Sequence, residues 1–121
     1  MTVTSYRDLV CWQLSAKLRD ELIAAIATSV ARRDFNFCDQ IRSSARSVPS
    51  NIAEGFGRSP RQFCRYLEIA LGSLRETETH LDEALSSHYI TRAKHDELRT
   101  LAKRAHVAGC RLRDYLATRS T

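Results

Sequence analysis

Apolar residues recur at spacings of three and four along nearly the whole chain, and only four glycines and two prolines interrupt them. That period follows the 3.6-residue turn of an α-helix rather than the alternation of a strand, so the chain reads as all-α. The first amphipathic segment spans about 6–29. Ser5 is placed to cap it, and Asp8 suits the positive end of the helix. Leu18, Leu22, Ala25 and Ile26 form its inward face, preceded by Leu9 and Trp12. Leu14, Ile23 and Val30 fall partly off that face, and a second apolar strip suggests contact with another subunit. Arg32-Arg33-Asp34-Phe35-Asn36 breaks the pattern.

A second helix is expected over about 36–55, with Phe37, Ile41, Ala45, Val48 and Ile52 on one face. Pro49 falls inside it. Without an N–H to bond the carbonyl of Ala45, it predicts a kink there, or else a stop near Ser47; the apolar period survives across it and favours the kinked helix. Gly55-Phe56-Gly57 supplies the end, glycine tolerating the left-handed cap conformation. Ser59-Pro60-Arg61-Gln62 is a start signal: a capping serine, a proline at the first helical position and a glutamine to close a capping box. The third helix should run over about 60–87 with Phe63, Leu67, Ala70, Leu74, Leu81 and Leu85 inward. Gly72 and Ser73 within it would let a neighbouring helix approach closely. Thr91 caps the fourth, about 92–118, which buries Leu98, Leu101, Ala105, Ala108, Leu112 and Tyr115 or Leu116.

Helices of about 20 to 28 residues span about 30 to 40 Å each. Four such rods joined by short turns predict an antiparallel up-down-up-down four-helix bundle, and 121 residues suffice for one domain. Such a chain buries about two-thirds of its unfolded surface without needing staples. A composition of 43% hydrophobic and 27% charged residues excludes a disordered tail, a collagen or a disulfide scaffold. No apolar run reaches membrane-spanning length, and Met1 to Asp8 lack the layout of a signal peptide, which makes the cytoplasm the expected location.

Little in the chain points to catalysis. Cys11, Cys38, Cys64 and Cys110 are widely spaced with no C-x-x-C pair, and His80, His88, His95 and His106 lack metal-binding spacing. No nucleophile elbow, phosphate loop or triad-like set occurs, so no enzyme activity, metal or cofactor is expected.

Charge carries more. Sixteen arginines stand against three lysines, and the net charge is +5. Its sign alternates along the chain: zero over 1–31, +4 over 32–65, −4 over 66–97 and +5 over 98–121. Arginine in excess favours bidentate contact with phosphate or carboxylate. Arg42 and Arg46 are one turn apart on the second helix. Arg58 precedes the third helix, and Arg61 and Arg65 are one turn apart on its first stretch, so the five can share one basic corner. Arg99, Lys103, Arg104, Arg111 and Arg113 make a second stripe on the fourth helix. Phosphates bound there would respond steeply to salt, with Tyr66 as a base-stacking candidate and Phe56 and Phe63 better suited to the core.

The run Ser50-Asn51-Ile52-Ala53-Glu54-Gly55-Phe56-Gly57-Arg58-Ser59 resembles the bacterial four-helix-bundle proteins encoded in intervening sequences of 23S ribosomal RNA genes. The resemblance extends to Asp8-Leu9-Val10 and Trp12-Gln13, to Gln40-Ile41-Arg42 and Ser47-Val48-Pro49, and on to Phe63, Tyr66-Leu67, Ile69-Ala70, Gly72-Ser73-Leu74 and Glu76. Ala31-Arg32-Arg33-Asp34 departs from the family's aromatic-proline turn. The resemblance implies a left-handed bundle assembling into a homo-oligomeric ring, a pentamer. It also implies similarity to the accessory variability proteins of diversity-generating retroelements, basic rings that bind reverse transcriptase and nucleic acid. Within the motif, Pro49, Asn51, Glu54, Gly55 and Gly57 read as structural, with Asn51 and Glu54 bonding the interrupted backbone and the glycine turn and Arg58 as their ion partner.

Two expectations follow. In one, the chain is a non-enzymatic accessory protein binding RNA or DNA as a ring, with reverse transcriptase as partner if a retroelement lies nearby. In the other, it is a scaffold whose basic faces meet an acidic protein.

Overall fold

The computed structural model describes residues 3–119, so Met1 and Thr2 of the leader reading lie outside the described residues. Ser5 does cap a helix, but a short one. The Asp8 carboxylate accepts from the N–H groups of Thr4 and Ser5, both at 3.0 Å, while the Ser5 hydroxyl accepts from Arg7. This reciprocal box closes a 3-10 turn over Tyr6–Asp8, and Leu9 then turns extended, at ψ 129°. Helix α1 consequently spans Val10–Ala27, shorter at both ends than the periodicity suggested. A second 3-10 turn, Val30–Arg33, is capped by Ser29. Asp34 caps the next helix through the N–H of Phe37 at 3.2 Å, which brings Phe35 and Asn36 into helix α2 instead of the break.

Helix α2, Phe35–Gly55, runs on through Pro49 and does not stop near Ser47. Of the two glycines that follow, only Gly57 takes the left-handed conformation, at φ +85°. Gly55 is still helical. A Cβ there would sit 2.7 Å from Cβ of Tyr66 and 2.8 Å from Cδ1 of Phe63, so this glycine permits the close approach of the next helix. Helix α3, Pro60–Ser86, begins with the Ser59 hydroxyl on the N–H of Gln62 at 3.3 Å; the return bond from the Gln62 side chain, the other half of the expected box, is not formed. It ends in a Schellman arrangement, Tyr89 N–H to Ala84 carbonyl and His88 N–H to Leu85 carbonyl, with His88 itself left-handed at φ 60°. Helix α4, Arg92–Ala117, is capped by Thr91.

Helix α1 packs on α2 and α4, and α3 on α2 and α4. Their directions follow from cross-helix bonds. Ser44 meets Thr77 and Ser47 meets Ser73, while Cys64 meets Arg113 and Asp82 meets His95, so α2, α3 and α4 run antiparallel in turn. The result is an all-α architecture consistent with an up-down-up-down bundle. Among the described residues, no helix is long and apolar enough to cross a membrane.

The core is built from Leu18, Leu22, Ile41, Leu67, Leu74, Leu81 and Leu98, all at most 1% exposed. Leu116 goes inward and Tyr115 outward, at 54% exposure; Leu85, Ala108 and Leu112 are only half-buried. The interior also holds polar groups that the apolar period passes over. Thr77 bonds Ser44 at 2.9 Å, Ser73 donates to Ser47 at 2.9 Å, and Asn51 Nδ2 donates to the Ser47 carbonyl at 2.8 Å and hydroxyl at 2.9 Å. This seam joins α2 to α3 with its polar groups satisfied. Ser73 thus faces α2, whereas Gly72 faces open space and admits no neighbouring helix within the chain.

Candidate nucleic-acid interface

The outer face of α2 carries a shallow hollow of about 590 Å³. Arg42, Ser43, Arg46, Ser47 and Ser50 line it, spaced so that one side of a helix presents them together, with Asp39 and Asn51 at its edges. Arg42 is held by Asp39 at 3.0 Å, across one turn. Arg46 is exposed and has no carboxylate partner among the described residues. The Ser47 hydroxyl and the Asn51 amide are anchored from behind by the α2–α3 seam, so this hollow combines cations with hydroxyl and amide groups on a rigid helix.

The expected single corner of five arginines divides. Arg46 and Gly55 are nine positions apart, about 13 to 14 Å along the helix. Arg58 and Arg65 line a different hollow, of about 320 Å³, with Gln62, Tyr66 and Ile69. Arg58 is tied back: its Nη2 meets Glu54 Oε1 at 2.9 Å, its Nε donates to the Glu54 carbonyl at 2.9 Å, and its guanidinium lies 4.9 Å from the centre of the Tyr66 ring. It is Arg58, not Glu54, that bonds the backbone at the glycine turn. Arg61 and Arg65 are exposed, with no ion pair among the described residues. One face of Tyr66 is therefore already covered. Phe63 is buried, and Phe56 packs edge-on against it at 6.2 Å.

The α4 stripe is mixed as well. Arg99 reaches Glu78 at 3.5 Å and Asp82 at 3.7 Å across the α3–α4 contact. Arg113 pairs with its neighbour Asp114 at 3.3 Å, and that hydrogen bond raises its pKa further. Lys103, Arg104 and Arg111 are exposed and carry no ion pair among the described residues. Of the ten cations singled out by position, Arg46, Arg61, Arg65, Lys103, Arg104 and Arg111 stay uncompensated among the described residues and the other four are engaged within the chain. Charge patterning does not mark the hydroxyls of Ser43, Ser47 and Ser50; the signal is their spacing of four and three from one another, with Ser43 three before and Ser50 four after Arg46.

Other chemistry is sparse. The four thiols are unpaired, and burial pushes Cys11 up to about 11. Cys110 Sγ lies 3.4 Å from His106 Nε2. Among the described residues, no group of three or more His, Cys, Asp or Glu is arranged to hold a metal ion.

The family model for the 23S rRNA-intervening sequence protein matches residues 7–107. The chain belongs to the 23S rRNA-intervening sequence protein family. That match covers α1, α2 and α3 entirely and the first part of α4, so Arg111 and Arg113 lie beyond it. No curated protein matches the sequence. Membership agrees with the motif between Val48 and Ser59 that carried the resemblance, and the α2 hollow lies within the matched residues of this 23S rRNA-intervening sequence protein.

Proposed function

We propose that this chain is a non-enzymatic nucleic-acid-binding protein that contacts phosphates through the outer face of α2 and the first turns of α3. The observation that carries the reading is the α2 hollow, in which an uncompensated Arg46 stands among serine hydroxyls with Arg42 beside it. Such a surface offers charge and neutral donors to a phosphate backbone without an apolar floor, so it reads charge and spacing rather than base sequence. Arg61 and Arg65 extend the positive field at the α2–α3 end. The cytoplasm, where structured RNA is abundant, is the proposed site of action.

The same reading has the protein working as a homo-oligomeric ring, a pentamer. Support comes from a hollow of about 780 Å³ between α1 and α2, where Trp12, Ile23, Ala24, Ala27 and Ala53 leave apolar surface for a second copy; Arg46 and Ser50 line it too, so a copy seated there would border the phosphate site. Light scattering after size exclusion tests this; a mass of one or two chains at all concentrations removes the ring. A reverse transcriptase is a proposed partner only in a retroelement setting, testable by co-purification.

The binding test is a salt titration with a structured RNA and a matching DNA duplex. The log affinity should fall linearly with log salt, and Arg46→Glu or the Arg61→Ala/Arg65→Ala pair should weaken binding and reduce the slope by about one per cation removed. Affinity of micromolar or weaker at low salt, or a slope indifferent to these substitutions, refutes the reading.

A further inference from the structure

The unpaired cations of α4 differ from those of α2 in what lies between them. Two adjoining hollows of about 390 and 330 Å³ run along the contact of α1 with α4 and share Val10, Ala108 and Arg111. Their floor is apolar, with Leu14 and Val107 joining Val10 and Ala108. Val10 is 58% exposed and Val107 40%. Lys103 and Arg104 flank one end and Arg111 the other, bracketing Val107. Asp8, an acidic residue lining this surface, already accepts from the N–H groups of Thr4 and Ser5. The smaller hollow is thus greasy within and flanked by cations at both ends, with no carboxylate of the chain neutralising Lys103, Arg104 or Arg111 among the described residues, while Asp8, held below its ordinary pKa by those backbone bonds, lines only the larger hollow.

We propose that the α1–α4 groove is a docking site for an acidic amphipathic helix of a partner protein. Charge complementarity selects the acid, and the floor selects the amphipathic helix. A phosphate backbone would satisfy Arg104 and Arg111 but leave Val10, Leu14 and Val107 facing water, whereas apolar side chains one turn apart on a docked helix bury all three. The spacing is suitable. Arg104 and Arg111 are seven residues apart, about 10 Å along α4, or two turns of a helix lying alongside, so acidic residues at i and i+7 of the ligand meet both.

The probe is a fluorescein-labelled, lactam-stapled helix of about 14 residues with leucines on one face and glutamates along both flanks, titrated with the full chain at about 150 mM salt. Binding on the order of tens of micromolar is expected, weakened at least about tenfold by Val107→Asp and by the Arg104→Glu/Arg111→Glu pair, and unchanged by Arg46→Glu. A version with lysine in place of glutamate should fail against the natural chain and bind the doubly reversed one. Helical circular dichroism of each variant checks that these exposed substitutions leave the bundle folded. The proposal is overturned if the glutamate peptide does not bind, or if a leucine-to-serine version binds equally well. It is also overturned if Arg104→Glu/Arg111→Glu reduces RNA affinity as much as Arg46→Glu does, or if Val107→Asp lowers the solution mass, which would give the groove to nucleic acid or to a second copy. Because Arg46 lies on another face, failure here leaves the α2 reading standing, and the reverse.

Discussion

The Tyr89 hydroxyl donates to Asp34 Oδ2 at 2.6 Å, joining the turn between α3 and α4 to the N-cap of α2 across 55 positions of sequence. Asp34 uses its other oxygen to cap α2 through the N–H of Phe37, and Tyr89 packs on the Phe37 ring at 5.1 Å between centroids. One carboxylate therefore serves a helix start and a tertiary tie. The Tyr89 bond, followed by the Phe37 N–H, holds the Asp34 pKa below its ordinary value and raises that of Tyr89.

Tyr89→Phe removes the tie while keeping the ring contact. The variant should melt several degrees lower than the natural chain, and the Asp34 carboxyl should titrate closer to the ordinary carboxylate range by NMR. Because the folded Asp34 pKa lies below the unfolded one, its contribution is present above the unfolded pKa and is lost as pH falls through the folded value. The stability difference between the two proteins should therefore shrink in acid. An unchanged Asp34 titration would contradict the role given to the bond.

His88 is the one described residue other than glycine at positive φ, and it occupies the position after the α3 cap where glycine is preferred. Replacing it with glycine relieves the left-handed strain of a side chain, offset in part by greater freedom of the unfolded chain. His88→Gly should stabilise the fold by about 1 kcal/mol in denaturant unfolding.

Gly55 permits the start of α3 to lie against the end of α2. Gly55→Ala introduces a methyl within 3 Å of Tyr66 and Phe63, and Tyr66 presents its Cβ there, which cannot swing aside. A loss of about 1 to 3 kcal/mol is expected. Gly57→Ala, by contrast, meets no atoms and suffers only from its backbone angle, so it should cost less. Equal losses would show that packing is not what requires Gly55.

His95 lies between Asp82, at 2.8 Å, and Asp96, at 2.9 Å, and these two bonds, Asp82 first, raise its pKa. Arg99 and Glu78 face the same cluster. A raised folded pKa means that stabilisation is fully present below the unfolded histidine value and disappears as pH climbs through the folded one. Thermal stability should decline over that alkaline-going step, and His95→Gln should remove the step while leaving the acid limb intact. A pH profile identical in both proteins would place the α3–α4 tie elsewhere.

Arg58 and Arg61 lie three residues apart but are set to behave differently. Arg58 is engaged by Glu54 and by the ring of Tyr66, so Arg58→Ala should lower stability and change RNA affinity little. Arg61→Ala should leave the melting temperature unchanged and weaken RNA binding at low salt. Reversed outcomes would show that the internal ion pair does not withdraw a guanidinium from phosphate.

The spacing of apolar residues determined by itself that this chain forms helices, and which faces of them turn inward, because helical periodicity is a local property that every turn repeats. The four caps, Ser5, Ser59, Thr91 and the glycine turn around Gly57, were legible for the same reason: each acts within a few residues of its own position. What the linear pattern did not contain was the early closure of the Ser5–Asp8 box, the cap at Asp34 and the left-handed His88, where a local bond outcompetes the average preference. Nor did it contain the capture of Arg99 by another helix. Arg42 and Arg46 look alike one turn apart, yet Asp39 engages only the first, and Arg99 is occupied by acids of another helix. The compensation of Arg99, the hydroxyl seam between α2 and α3 and the apolar floor beneath Arg104 and Arg111 depend on which helix lies beside which, and only packing in three dimensions decides that.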